Sequence, residues 1–140
     1  MASLSWFQVH GAATHFPIVL IFVALGCDGL AAARWSTAAA PGLAVAGVCA
    51  IAGAAAGSLA AVVSGLYLSR GDMAGSGALA WHHRLVWPAF VLIVAAAAWR
   101  VTARNQLSRR SLAAYVAALA LAAATVSAAG YFGGELLAAG

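Results

Sequence analysis

Four long apolar stretches dominate the chain, at roughly 16–33, 42–68, 85–99 and 112–137. About 20 predominantly apolar residues suffice for an α-helix to cross a hydrocarbon core. Lipid offers no partner to a backbone N–H or C=O, so each stretch is expected to be a helix that satisfies its own hydrogen bonds. The breaks at Arg34–Pro41, Ser69–Ala80 and Arg100–Ser111 are short. Short connections between apolar helices predict antiparallel neighbours, hence an all-α, up-down four-helix membrane bundle. A single domain over 1–140 is expected, with no sequence remaining for a soluble unit. Composition agrees: 65% of residues are hydrophobic and 7% charged, too few charges to coat a soluble domain, which carries roughly 25%. Disordered chains are poor in apolar residues, so disorder is excluded as well.

Arginine sets the expected orientation. The net charge is +4, but the seven arginines are scattered between apolar runs, and a nucleic-acid footprint needs a clustered basic face. Arg34, Arg100, Arg104, Arg109 and Arg110 fall in the first and third breaks, while Arg70 and Arg84 flank the second. That imbalance predicts a cytoplasmic location for the first and third loops, with both termini periplasmic. Trp35 and Trp99 fit one interfacial belt, and Trp6, Tyr67, Trp81, Trp87 and Tyr131 the other. The N-terminus lacks a positive n-region, so a cleaved signal peptide is not expected. Two cysteines, Cys27 and Cys49, lie inside apolar runs and read as small buried residues.

The four histidines carry the most information about function. His10 and His15 precede the first apolar stretch, and His82 and His83 precede the third. The first and third helices of an up-down bundle run parallel, so all four imidazoles are expected at one membrane face. Imidazoles from facing helices are the usual means by which a bundle holds a haem or metal. A haem held by two histidines needs them on different helices, and His15 with His83 is the favoured pair, because Phe16-Pro17 is taken to fix the start of the first helix. His10 and His15 lie roughly 140° apart on a helix and His82 and His83 about 100° apart. His10 and His82 are therefore left to a second haem or to the interface. Copper or zinc held directly by imidazoles, and a non-redox anchor whose histidines sit among headgroups, are the alternatives. No C-x-x-C-H occurs, so a covalently attached haem is excluded.

Several other residues bear on such a site. Gly53, Gly57, Ala61 and Gly65 form a ridge of small residues spaced by four. It either seats a neighbouring helix or leaves room for a flat cofactor beside Gly57 and Gly65. Pro17 is expected in the first turn of its helix, and Pro88 frees a carbonyl near Arg84 if the third helix already contains His83. Glu135, at the histidine end, is placed to accept an imidazole N–H or to pair with Arg84 or Arg70. Asp28 lies ~20 Å along the helix from His15, where Arg34 or Arg100 can neutralise it.

The opening His10-Gly-Ala-Ala-Thr-His15-Phe16-Pro17-Ile18, followed by Asp28-Gly-Leu, resembles a family of small bacterial membrane proteins, domain of unknown function 2231. Its members typically begin H-P-x-x-x-H-F-P-I. Gly130-Tyr131-Phe132-Gly133-Gly134-Glu135-Leu136 is similar to that family's closing G-Y-x-G-G-x-L. Gly11 stands where the family usually has Pro, and relatives often continue past the last residues here with Tyr and a further His-Gly. The resemblance implies a four-helix fold in the bacterial inner membrane and, because members look like small cytochromes, haem b. The expected function is a b-type haem electron-transfer subunit, not an enzyme alone, with one or two haems. It would serve a larger redox assembly whose partner is a periplasmic c-type cytochrome or dehydrogenase, with quinone a further candidate.

Overall fold

The computed structural model describes residues 5–103 and 106–138, and among them the regular structure is entirely helical. Four helices follow in order: α1 (Trp6–Ala33), α2 (Ala40–Leu68), α3 (Gly77–Thr102) and α4 (Arg109–Ala138). Each is long and apolar enough to cross a membrane. At 1.5 Å per residue, the 28 residues of α1 span roughly 42 Å, the thickness of a bilayer with its headgroups. The helices therefore outrun the apolar stretches that mark them.

The largest extension is at the start of α1, ten residues before Phe16. Ser5 and Gln8 form a capping box there: the Gln8 N–H donates to Ser5 Oγ at 3.3 Å and the Ser5 N–H to Gln8 Oε1 at 3.0 Å. Pro17 consequently lies in the helix interior rather than in its first turn. Its ring nitrogen cannot donate to the carbonyl four residues earlier, and α1 continues through it. α3 begins at Gly77, so His82 and His83 are helical and Pro88 lies inside the helix. The α2–α3 loop folds with Arg70, Gly71 and Gly75 at positive φ, and Gly77 at the helix start shares that conformation.

α1 packs most extensively on α2 and α3 on α4, with lighter α1–α4 and α2–α3 contacts closing the bundle. That order places α1 and α3 on one diagonal. The core is built from Ile21, Ala24, Ile51, Ala54, Ile93, Leu119 and Ala122, while Phe16, Val19, Phe22, Val63, Val91 and Leu121 are exposed. Large apolar side chains outside and alanines inside suit a bundle whose solvent is hydrocarbon, because small residues let helix backbones approach. The α2 ridge serves this packing. A Cβ on Gly53 would stand 2.9 Å from Leu20 Cδ1, and one on Gly57 2.9 Å from Phe16 Cδ1 and 3.1 Å from Pro17 Cδ. Gly53 and Gly57 thus seat α1.

Candidate functional site

Two polar centres interrupt the apolar interior, one near each end of the bundle. At the end opposite the histidines, Arg100 of α3 donates from Nη2 to Asp28 Oδ1 of α1 at 2.9 Å and to the Ala44 carbonyl of α2 at 3.2 Å. Both side chains are buried, Asp28 completely. Tyr115 of α4 stands beside the carboxylate, and the Arg100 guanidinium lies 5.8 Å from its ring. Gly47 faces the carboxylate so closely that a Cβ there would collide with it. Arg100, rather than Arg34, is the partner of Asp28, and the pair ties the α1–α3 diagonal. Isolated buried charges are costly in hydrocarbon, and pairing is the usual resolution.

The histidine end holds a small pocket of about 100 Å³, lined by residues of all four helices, among them His10, His82 and His83. Small-molecule sites are mostly apolar with a few convergent polar groups. Val62, Leu66, Phe90 and Val126 supply apolar wall here.

His10 Nδ1 lies 2.9 Å from Ser64 Oγ of α2. The Ser64 hydroxyl proton is already committed to the carbonyls of Ala60 and Ala61, at 2.9 and 3.0 Å. With the Ser64 proton on either carbonyl, His10 donates from Nδ1 and has its lone pair on Nε2. His82 repeats the arrangement in the other hairpin. Its Nδ1–H donates to the Ala129 carbonyl of α4 at 2.8 Å, which again leaves Nε2 as the lone-pair nitrogen. Each ring also rests against a glycine of its neighbour helix. A Cβ on Gly65 would stand 3.1 Å from His10 Cε1, and one on Gly133 3.2 Å from His82 Cε1. The two imidazoles come from diagonal helices, and His82 is near enough to act electrostatically on His10.

His83 is 8% exposed, its ring centroid lies 5.9 Å from that of His82, and its Nδ1 is buried without a hydrogen-bond partner. Both residues of the pair line the cavity, although the 100° between them predicted that one would turn away; only His82 reaches α4. His15 lies elsewhere. Its side chain is exposed and is absent from the cavity wall, and its Nδ1–H turns back to the Gly11 carbonyl one turn earlier in α1. The 140° between His10 and His15 puts one inside the bundle and the other outside.

Of the remaining residues, Gly65 lines the cavity, whereas Gly57 is spent on packing α1. Glu135 is exposed and accepts the Tyr131 hydroxyl one turn back in α4, while Arg84 lies over the Trp81 ring at 4.9 Å. The α2–α3 loop lies beside the site, where the Trp87 indole N–H donates to the Met73 carbonyl at 3.1 Å. Asp72 in that loop accepts the N–H groups of Gly75 and Ala74 at 2.8 and 3.0 Å. Those two bonds hold its carboxyl below the usual carboxylate range. Ser64 was not singled out from sequence, although an isolated hydroxyl next to Gly65 in an apolar helix is a usable signal.

Among the described residues, no group of three or more His, Cys, Asp or Glu is gathered closely enough to hold a metal ion, whereas a bare zinc or copper ion takes three or four close ligands. His10 and His82 thus line one pocket from diagonal helices, each held through its Nδ1 by the second helix of its own hairpin. No curated protein and no solved structure is significantly similar to the chain. Residues 7–139 match the family described as "Predicted membrane protein (DUF2231)". With the match covering nearly the whole chain and four apolar helices to account for, the protein belongs to the DUF2231 family of membrane proteins.

Proposed function

We propose that this protein is a b-type haem electron-transfer subunit of a larger membrane redox assembly, in which His10 and His82 would hold one haem b. The observation that carries the reading is the matched pair of imidazoles. Each gives its Nδ1–H to the second helix of its own hairpin, which leaves Nε2 as its lone-pair nitrogen, and both residues line the same pocket. Metal-ligating histidines characteristically donate their other ring N–H in this way, which fixes tautomer and ring orientation. A haem so ligated supplies one-electron redox chemistry.

The chain's own residues then divide the work. Ser64 and the Ala129 carbonyl orient the two rings, and Gly65 and Gly133 let those rings lie flush against α2 and α4. The apolar wall limits water, and His83 offers a buried Nδ1 to a polar edge of the bound group. Such a subunit is not an enzyme alone. With the arginine-rich end in the cytoplasm, the histidine end meets a periplasmic c-type cytochrome or dehydrogenase at the inner membrane, and quinone in the bilayer is a further exchange partner.

The test is to produce the full chain with haem supplementation, record a reduced-minus-oxidised spectrum and measure haem per chain. The wild type is expected to bind one haem. His10→Ala and His82→Ala are each expected to lose it, and His15→Ala to keep it. A colourless wild type, or full haem in both His10→Ala and His82→Ala, would overturn the reading.

A further inference from the structure

The Asp28–Arg100 end carries a second, separate cleft. It lies 18 positions along α1 from His10, or roughly 27 Å at 1.5 Å per residue. The cleft is open, about 560 Å³, and is walled by Trp35, Pro41, Val45, Leu107 and Leu112, with the buried Arg100 contributing to its lining. Among the described residues, the exposed charge at this end is of one sign. Arg34 directly precedes Trp35, and Arg109 and Arg110 fall between Leu107 and Leu112; all three are exposed. Asp28 is the only carboxylate of this half, and its charge is committed to Arg100 inside the bundle. α2 starts beside the cleft with no side-chain cap, so the positive end of its dipole adds to the field. Apolar walls whose lining residues have exposed arginines as near neighbours in the chain, at the end of a helix bundle, match one chemistry: a phosphodiester headgroup with an acyl chain beneath it.

We propose that this cleft is a binding site for one anionic phospholipid, its phosphate held among Arg34, Arg109 and Arg110 and its acyl chain lying along Pro41 and Val45. Arg100 forms the floor and keeps its structural pairing with Asp28. The inference does not depend on haem, since it concerns the opposite end of the molecule.

The test uses the full chain in neutral detergent, with phosphatidylglycerol, phosphatidylcholine and inorganic phosphate as separate probes. Binding is read by native mass spectrometry and by the shift in melting temperature. One phosphatidylglycerol per chain is expected, retained in preference to phosphatidylcholine. Arg34→Gln and Arg109→Gln should each lower that preference about fivefold. Val45→Trp, which fills the cleft from an exposed position, should abolish retention while helicity by circular dichroism stays at the wild-type level. Equal retention of the two lipids would overturn the proposal. So would a phosphatidylglycerol preference that survives Val45→Trp, and so would stabilisation by inorganic phosphate equal to that by phosphatidylglycerol, which would assign the cleft to a free anion.

Discussion

Gly47→Ala is the smallest substitution that interrogates the buried ion pair. A Cβ at 47 would stand 2.7 Å from Asp28 Oδ1 and nearer still to Oδ2 and Cγ. Asp28 is fully buried and held 2.9 Å from Arg100, so it has little freedom to yield. α2 can move away from α1, an overpacking response that costs about 1–3 kcal/mol. Alternatively the carboxylate can leave the guanidinium, and breaking a buried pair costs about 3–5 kcal/mol. The cheaper response governs, and alanine's better helix propensity returns about 1 kcal/mol. A net loss of about 1 kcal/mol is expected, measured as a shift in the unfolding curve when denaturing detergent is titrated into mixed micelles. The decisive comparison is the same substitution in an Asp28→Ala/Arg100→Leu background, which removes both charges together and is itself expected to fold, because apolar replacement of a whole buried pair is often neutral. There the obstacle is gone, and Gly47→Ala should be neutral or stabilising by up to about 1 kcal/mol. An equal loss in both backgrounds would refute the steric argument.

Ser64→Ala removes the acceptor that fixes the His10 ring, and the proposed haem should bind about 10–100-fold more weakly, with helicity by circular dichroism unchanged. A reporter fused after Gly140 should behave as periplasmic; cytoplasmic activity there would reverse the orientation drawn from the arginines. Asp72 is bonded in its charged form by backbone N–H groups, so its folded value lies below its unfolded one. Its contribution to the loop is therefore present above the usual carboxylate range and lost as pH falls through the lowered value. Protection of the Ala74 and Gly75 amides, relative to their intrinsic exchange rates, should hold above that lowered value and fall below it, whereas Asp72→Asn should flatten that dependence.

The four spans and their antiparallel order were legible because hydropathy reports directly on what faces lipid. The partnership of Asp28 with an arginine at its own end was legible too, since helix rise fixes depth. Helix starts were not: apolarity marks the hydrocarbon layer, while the hydrogen-bonded helix of α1 reaches back to a cap at Ser5. That difference moved Pro17 into the helix interior. It also removed the reason for favouring His15, which was a helix start at Phe16. Whether His10 or His15 faces inward depends on how α1 is rotated against α2, and Phe16, Pro17 and Leu20 resting on Gly57 and Gly53 are what set that rotation. The glycine ridge was visible in the sequence. Its partner surface was not, because spacing within one helix says nothing about which neighbour fills it.

The bundle is best regarded as two hairpins, α1–α2 and α3–α4, more closely packed within than between. Each hairpin completes one oriented imidazole internally, His10 on Ser64 or His82 on Ala129, before it needs the other. The cavity and the Asp28–Arg100 tie, by contrast, exist only at the joint. During membrane insertion the first hairpin emerges with its half-site already formed and an acidic group awaiting a counterion some seventy residues downstream. Loading of any cavity ligand must therefore follow docking of the second hairpin, and that ligand would act as a clasp on the weaker seam. Separately expressed halves should accordingly reassociate more tightly when the ligand is supplied than when it is withheld.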